Sequence, residues 1–82
     1  MYELWDALSL NMIDCYGSAA QAEIAIAEIV RQQGQAVLDP LFLLHEGENE
    51  DSTLIAEGQA MLVAIRRLVA EGRASAEPRR VG

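Results

Sequence analysis

The chain has 82 residues, a formal net charge of −7 and 51% hydrophobic residues. One domain of this length buries only about 60% of its unfolded surface, so its core is small, while half the residues being apolar argues against disorder. No apolar run reaches the ~18–20 residues of a membrane span, Met1–Asp6 carries acid where a secretory leader carries base, and the single Cys15 allows no intramolecular disulfide, which together lead us to expect a cytoplasmic protein.

The charge is unevenly spread. Residues 1–57 hold eleven acids against Arg31 alone, whereas residues 58–82 hold Arg66, Arg67, Arg73, Arg79 and Arg80 against Glu71 and Glu77, with no lysine anywhere. A net negative domain is repelled by phosphate backbones, so nucleic-acid binding is disfavoured. The arginine-bearing end reads as a solvated helix face and a loose tail; meeting an acidic neighbour, such as the acidic end of a second copy, is the alternative.

In chain order, Tyr2–Asp6 and Asn11–Tyr16 are two strand-length runs of aromatic, branched and polar residues, separated by Ala7–Leu10. Asp14, Gly17 and Ser18 suit a strand exit. A helix then starts at Ser18, whose spacing to Gln21 is that of a capping box. Ala22, Ile26, Ile29 and Val30 form its apolar stripe, and Gly34 is its stop. After Asp39-Pro40, the compact apolar run Leu41–His45 and the short run Thr53–Ile55 flank a strong turn signal at Gly47–Asp51. The second helix is predicted from about Gly58 to Glu71, with Met61, Ala64, Ile65 and Leu68 on its apolar face, Arg66 and Arg67 near its C-terminus, and Gly72 ending it. The segment 74–82, with Pro78, reads as a mobile tail behind a single domain over residues 1–73.

Shifting the chain by 39 residues without gaps places Leu4 on Leu43, Trp5 on Leu44, Cys15 on Leu54, Tyr16 on Ile55, Ile26 on Ile65 and Ile29 on Leu68. Residues 2–34 and 41–72 are thus both readable as ββα in one register, suggesting a pseudo-repeat. The succession YELWD, NMI and Tyr16 before one helix, then paired leucines and STLIAEG before another, resembles small uncharacterised bacterial proteins with a hairpin–helix–hairpin–helix plan. The resemblance covers about residues 2–70. It implies the ββαββα order, and it brings no assigned activity and no catalytic residues to carry over. Ala7-Leu8-Ser9-Leu10 departs from it by being unusually apolar for a tight turn. The competing fold is all-helical: residues 2–16 lack proline and glycine, and Leu4, Leu8 and Met12 can form a stripe, against which Ser9, Asn11 and Asp14 are indifferent helix formers.

Candidate chemistry is sparse. Glu46, Glu48, Glu50 and Asp51 are hard-cation ligand types, but they lack the spacing of a calcium loop and read as a solvated turn. His45, the only histidine, ends an apolar run with no partner at a meaningful spacing, so a structural or exposed role is expected rather than acid–base work. Cys15 lacks an activating base, has Asp14 beside it, and is expected to pack in the core as a small hydrophobe. There is no glycine-rich phosphate loop, no metal-ligand spacing and no triad, so no catalytic, cofactor or metal residues are assigned.

The sequence therefore predicts an α+β fold of order ββαββα, a four-stranded, mostly antiparallel sheet with two helices on one face. Because successive strand side chains point to opposite faces, the unbroken run Leu41, Phe42, Leu43 and Leu44 must leave large apolar residues on the face the helices do not cover. The expected function is a non-enzymatic interaction or regulatory module that self-associates as a homodimer, or meets another protein, through Leu41, Phe42, Leu43, Leu44 and Trp5. The alternatives are a small-ligand-binding or enzyme-accessory subunit, which predicts a deep apolar pocket, and an antitoxin-like partner protein, by fold-level analogy.

Overall fold

A computed structural model describes residues 1–49 and 51–76, with side chains described as far as Gly72. The element order is β1 (Tyr2–Asp6), β2 (Asn11–Tyr16), α1 (Ala19–Gln33), a 3-10 turn (Gln35–Leu38), β3 (Leu41–Glu46), β4 (Ser52–Glu57) and α2 (Ala60–Ala76). The strands form one sheet of order β2-β1-β3-β4, antiparallel at every pairing. This is the ββαββα α+β architecture, and the all-helical alternative for residues 2–16 is excluded. No described helix is long and apolar enough to cross a membrane.

The first hairpin closes through Asp6 despite its apolar turn. The Asp6 carboxylate accepts the Leu8 N–H at 2.9 Å and the Ser9 hydroxyl at 3.1 Å, and its carbonyl accepts the Leu10 N–H at 2.8 Å. An aspartate that satisfies the turn backbone in this way replaces the glycine or asparagine signal expected of a tight turn. The cost falls on Leu10, which takes a left-handed φ of 58°.

The helix caps follow from local chemistry. Ser18 Oγ accepts the Gln21 N–H at 3.2 Å, as the capping-box spacing predicts. The Gln21 side chain reaches back one residue further than that pattern implies, its Oε1 accepting the Gly17 N–H at 3.0 Å. Gly34 ends α1 at φ 89°, donating to the Val30 carbonyl at 2.7 Å. On the surface of α1, Glu28 is paired with Arg31 and bonded to Gln32, which holds its carboxyl below the usual range. Gly58 leads into α2 at φ 62°, a conformation that favours glycine, and its N–H donates to the Leu41 carbonyl at 2.8 Å.

Gly72 does not end α2. The helix continues through it to Ala76, three residues into the segment read as tail. Arg73, Ala74, Ser75 and Ala76 carry no breaker, and an interior glycine weakens a helix by less than a turn of tolerant residues sustains it. The rest of that tail, residues 77–82, lies outside the described residues.

Both helices lie against one face of the sheet. Leu4, Ala22, Ile26, Leu38, Leu43, Met61 and Ile65 are fully buried between the layers, with Tyr16, Leu41 and Val69 nearly so. Each large aliphatic side chain there contributes about 1.5–3 kcal/mol by leaving water. Leu38 belongs to the 3-10 turn, an element that no periodicity in the sequence marks.

Candidate functional site

Strand register assigns every sheet residue to a face, because directly paired residues point the same way. Tyr2, Leu4 and Asp6 of β1 pair with His45, Leu43 and Leu41 of β3, and this set faces the helices. Glu3 and Trp5 pair with Leu44 and Phe42, and this set faces away. The outer strands extend both rows. Cys15, Glu3, Leu44 and Leu54 form one row, and Met12, Trp5, Phe42 and Glu57 the next.

The five residues expected at an interface are therefore divided. Leu41 and Leu43 are 7% and 0% exposed, packed under the helices, and are not available to a partner. Phe42, Leu44 and Trp5 come together on the open face, half-buried by one another. The Trp5 and Phe42 rings stack with centroids 6.4 Å apart and 10° between planes. Trp5 Nε1 donates to Glu3 Oε1 at 3.2 Å, which fixes the indole and holds a carboxylate within the face. Met12 at 47% and Leu54 at 53% exposure extend the apolar surface to both edge strands.

Met12 and Leu54 escape a reading by simple alternation because each hairpin contains a bulge. The β1/β2 register shifts between Leu4 and Trp5, so Trp5 faces Met12 rather than Ile13. The β3/β4 register shifts between Leu43 and Leu44, so Leu44 faces Leu54 rather than Ile55. An extra residue in one strand reverses the parity of everything beyond it. Both bulges also sit at sheet edges, where they hinder pairing with a further strand.

Cys15 is exposed, not packed in the core. Its register partner is Glu3, which places it on the face away from the helices. The match of Cys15 with Leu54 in the 39-residue shift does not hold in space: Cys15 pairs with Glu3, whereas Phe42, the counterpart of Glu3, pairs with Glu57, and Leu54 lies in the outward row of Cys15 at the opposite edge of the sheet. That row lacks a covering layer, so an apolar counterpart did not imply burial. The Cys15 N–H donates to the Asp14 carboxylate at 2.8 Å.

The remaining candidates lie elsewhere. His45 is half-buried on the helix side, its ring 4.7 Å from that of Tyr2. Tyr16, next in the same row, has its phenol raised above the usual tyrosine range, by burial first and by Asp14 and Cys15 after it. At the second turn, Gly47 donates to the Asp51 carbonyl at 2.8 Å and Glu48 is exposed, while Glu50 lies outside the described residues. Among the described residues, no three His, Cys, Asp or Glu side chains are grouped so as to hold a metal ion. Comparison with protein-family models, with curated proteins and with solved structures finds no match to the chain.

Proposed function

We propose that the chain is a non-enzymatic protein-interaction module with a regulatory role, working through the open face of its sheet and self-associating there as a homodimer. One observation carries this reading. Trp5, Phe42 and Leu44, joined by Met12 and Leu54, line a sheet face whose opposite side holds both helices. Large residues on a solvated sheet face are the feature that an interaction surface requires and a solitary two-layer domain does not. Covering the exposed halves of two such side chains is worth roughly 1.5–3 kcal/mol by transfer, a sizeable share of the 5–15 kcal/mol that holds a small domain folded. Symmetric pairing is the commonest way to cover a face of this kind. A cytoplasmic setting belongs to the same proposal, because an exposed lone thiol at Cys15 suits a reducing compartment.

Light scattering coupled to size exclusion at ~100 μM, where a micromolar dimer is nearly saturated, should give twice the 9.0 kDa chain mass. Phe42→Glu should return a monomer with an unchanged circular dichroism spectrum. A wild-type monomer at that concentration would sink the self-association.

A further inference from the structure

The inference rests on the open face being the working surface, and it concerns which partner that face fits. Its apolar side chains form a diagonal band across all four strands: Met12, Trp5 and Phe42 in one row, then Leu44 and Leu54 in the next. Of the three places the band leaves in these two rows, Cys15 takes one and acids fill the other two. Glu3 sits on one flank, between Cys15 and Leu44, and Glu57 on the other, beside Phe42. Glu46, opposite Ser52, stands at the next row, where the Met1 ammonium donates to its carbonyl at 3.1 Å and supplies a positive charge beside it. Glu3 is held in position by its bond to the Trp5 indole, 3.2 Å long. Among the described residues, no arginine side chain lies on these strand rows.

A second copy meets this pattern poorly. In either twofold arrangement that superposes the two bands, a flank carrying a glutamate faces a flank carrying a glutamate. Opposed like charges in a partly dry interface penalise the pair. A cationic partner turns the same acids into attractions. We propose that the open face is the docking site of a basic amphipathic helix, with an apolar stripe laid along the Met12–Leu54 band and lysine or arginine on both sides meeting Glu3 and Glu57. Such a helix would cover the second face of the sheet and give a three-layer helix–sheet–helix arrangement. The homodimer is then the resting cover of the face, weakened by its own glutamates and displaced by the basic helix.

The test uses the chain's one tryptophan, Trp5, which lies within the band. A synthetic leucine–lysine amphipathic peptide is titrated into about 1 μM protein, with a leucine–glutamate peptide of the same pattern as control. The basic peptide should shift Trp5 emission to the blue and saturate, and the acidic peptide should not. Glu3→Gln with Glu57→Gln should weaken basic-peptide binding about tenfold; the glutamine at position 3 keeps an acceptor for the indole. Glu28→Gln with Glu71→Gln changes the net charge equally on the helix layer and should leave binding within about twofold. Equal losses from both double variants, or binding that leaves Trp5 emission unmoved, would overturn the docking site. Light scattering without peptide reads the second copy separately. A monomer that still binds the basic peptide at this face supports the docking site and ends self-association. A dimer that ignores the peptide overturns the docking site and leaves self-association standing.

Discussion

Leu4 and Leu43 stand directly opposite one another on the two central strands, and they are also the residues that coincide when the chain is shifted by 39. The centre of the β1/β3 ladder is therefore the point about which β1 with α1 and β3 with α2 exchange places, while β2 and β4 pair in different registers. The hydrogen bonds that close the ladder obey the same exchange: Ala7 N–H to the Pro40 carbonyl and Glu46 N–H to the Met1 carbonyl, each 2.8 Å. So does the core, where Ala22 matches Met61 and Ile26 matches Ile65, all fully buried.

Truncation at this centre should be severe. Leu4→Ala and Leu43→Ala are each expected to cost about 2–5 kcal/mol, because both remove buried volume from between two layers. Leu54→Ala on the open face should cost under about 1 kcal/mol in the monomer, since that side chain is 53% exposed. Urea denaturation measures all three. A Leu54 loss equal to that of Leu43 would contradict the assignment of faces.

Gly72→Ala is expected to stabilise the domain by about 0.5–1 kcal/mol. The glycine lies inside α2, and among the described residues a Cβ added there would meet nothing within 4 Å. The midpoint of chemical denaturation should rise without a change in slope. A fall would place Gly72 at a helix end after all.

Leu10→Gly is expected to stabilise by roughly 0.5–1 kcal/mol. The backbone there is left-handed at φ 58°, and the leucine side chain is 72% exposed, so little packing opposes the relief of strain. A thermal melt at or below the wild-type midpoint would show that Leu10 packs more firmly than its exposure indicates.

Cys15 should react with a thiol reagent in the folded protein at a rate near that of an unfolded control, because the side chain is exposed. Cys15→Ser should change monomer stability by less than about 0.5 kcal/mol. Slow labelling in a demonstrably monomeric sample would contradict the outward placement of its row. Slow labelling only at concentrations where the chain is a dimer would put Cys15 under the partner.

Tyr16 sets an alkaline limit. Its phenol is raised above the usual value, chiefly by burial, so the folded state holds the proton more tightly than the unfolded state does. The associated stability is fully present below the unfolded tyrosine value of about 10 and is lost as pH rises through the folded value. Melting temperatures followed from pH 9 upward should decline above about 10, and Tyr16→Phe should flatten that decline. An unaltered slope in the variant would remove Tyr16 as the cause.

The sequence by itself determined the order of elements, the bounds of β1 and β2, the Ser18 cap and the helix stripes, since each rests on contacts within a few residues: turn chemistry, capping groups and the 3.6-residue and 2-residue periods. It also required that Leu41–Leu44 leave large side chains on both faces of the sheet, because alternation allows nothing else. Which pair went inward was decided only in the tertiary structure, where the stripes of α1 and α2 close over Leu4, Leu41 and Leu43 and leave Trp5, Phe42 and Leu44 outside. The exposure of Cys15, the outward turn of Met12 and Leu54, the burial of Leu38 and the glutamates flanking the band belong to that level as well. Leu38 depends on how the 3-10 turn packs between the layers, and the others depend on the register between strands and its two bulges, where a one-residue shift in pairing reverses which face a side chain takes at no local cost that the sequence pattern records.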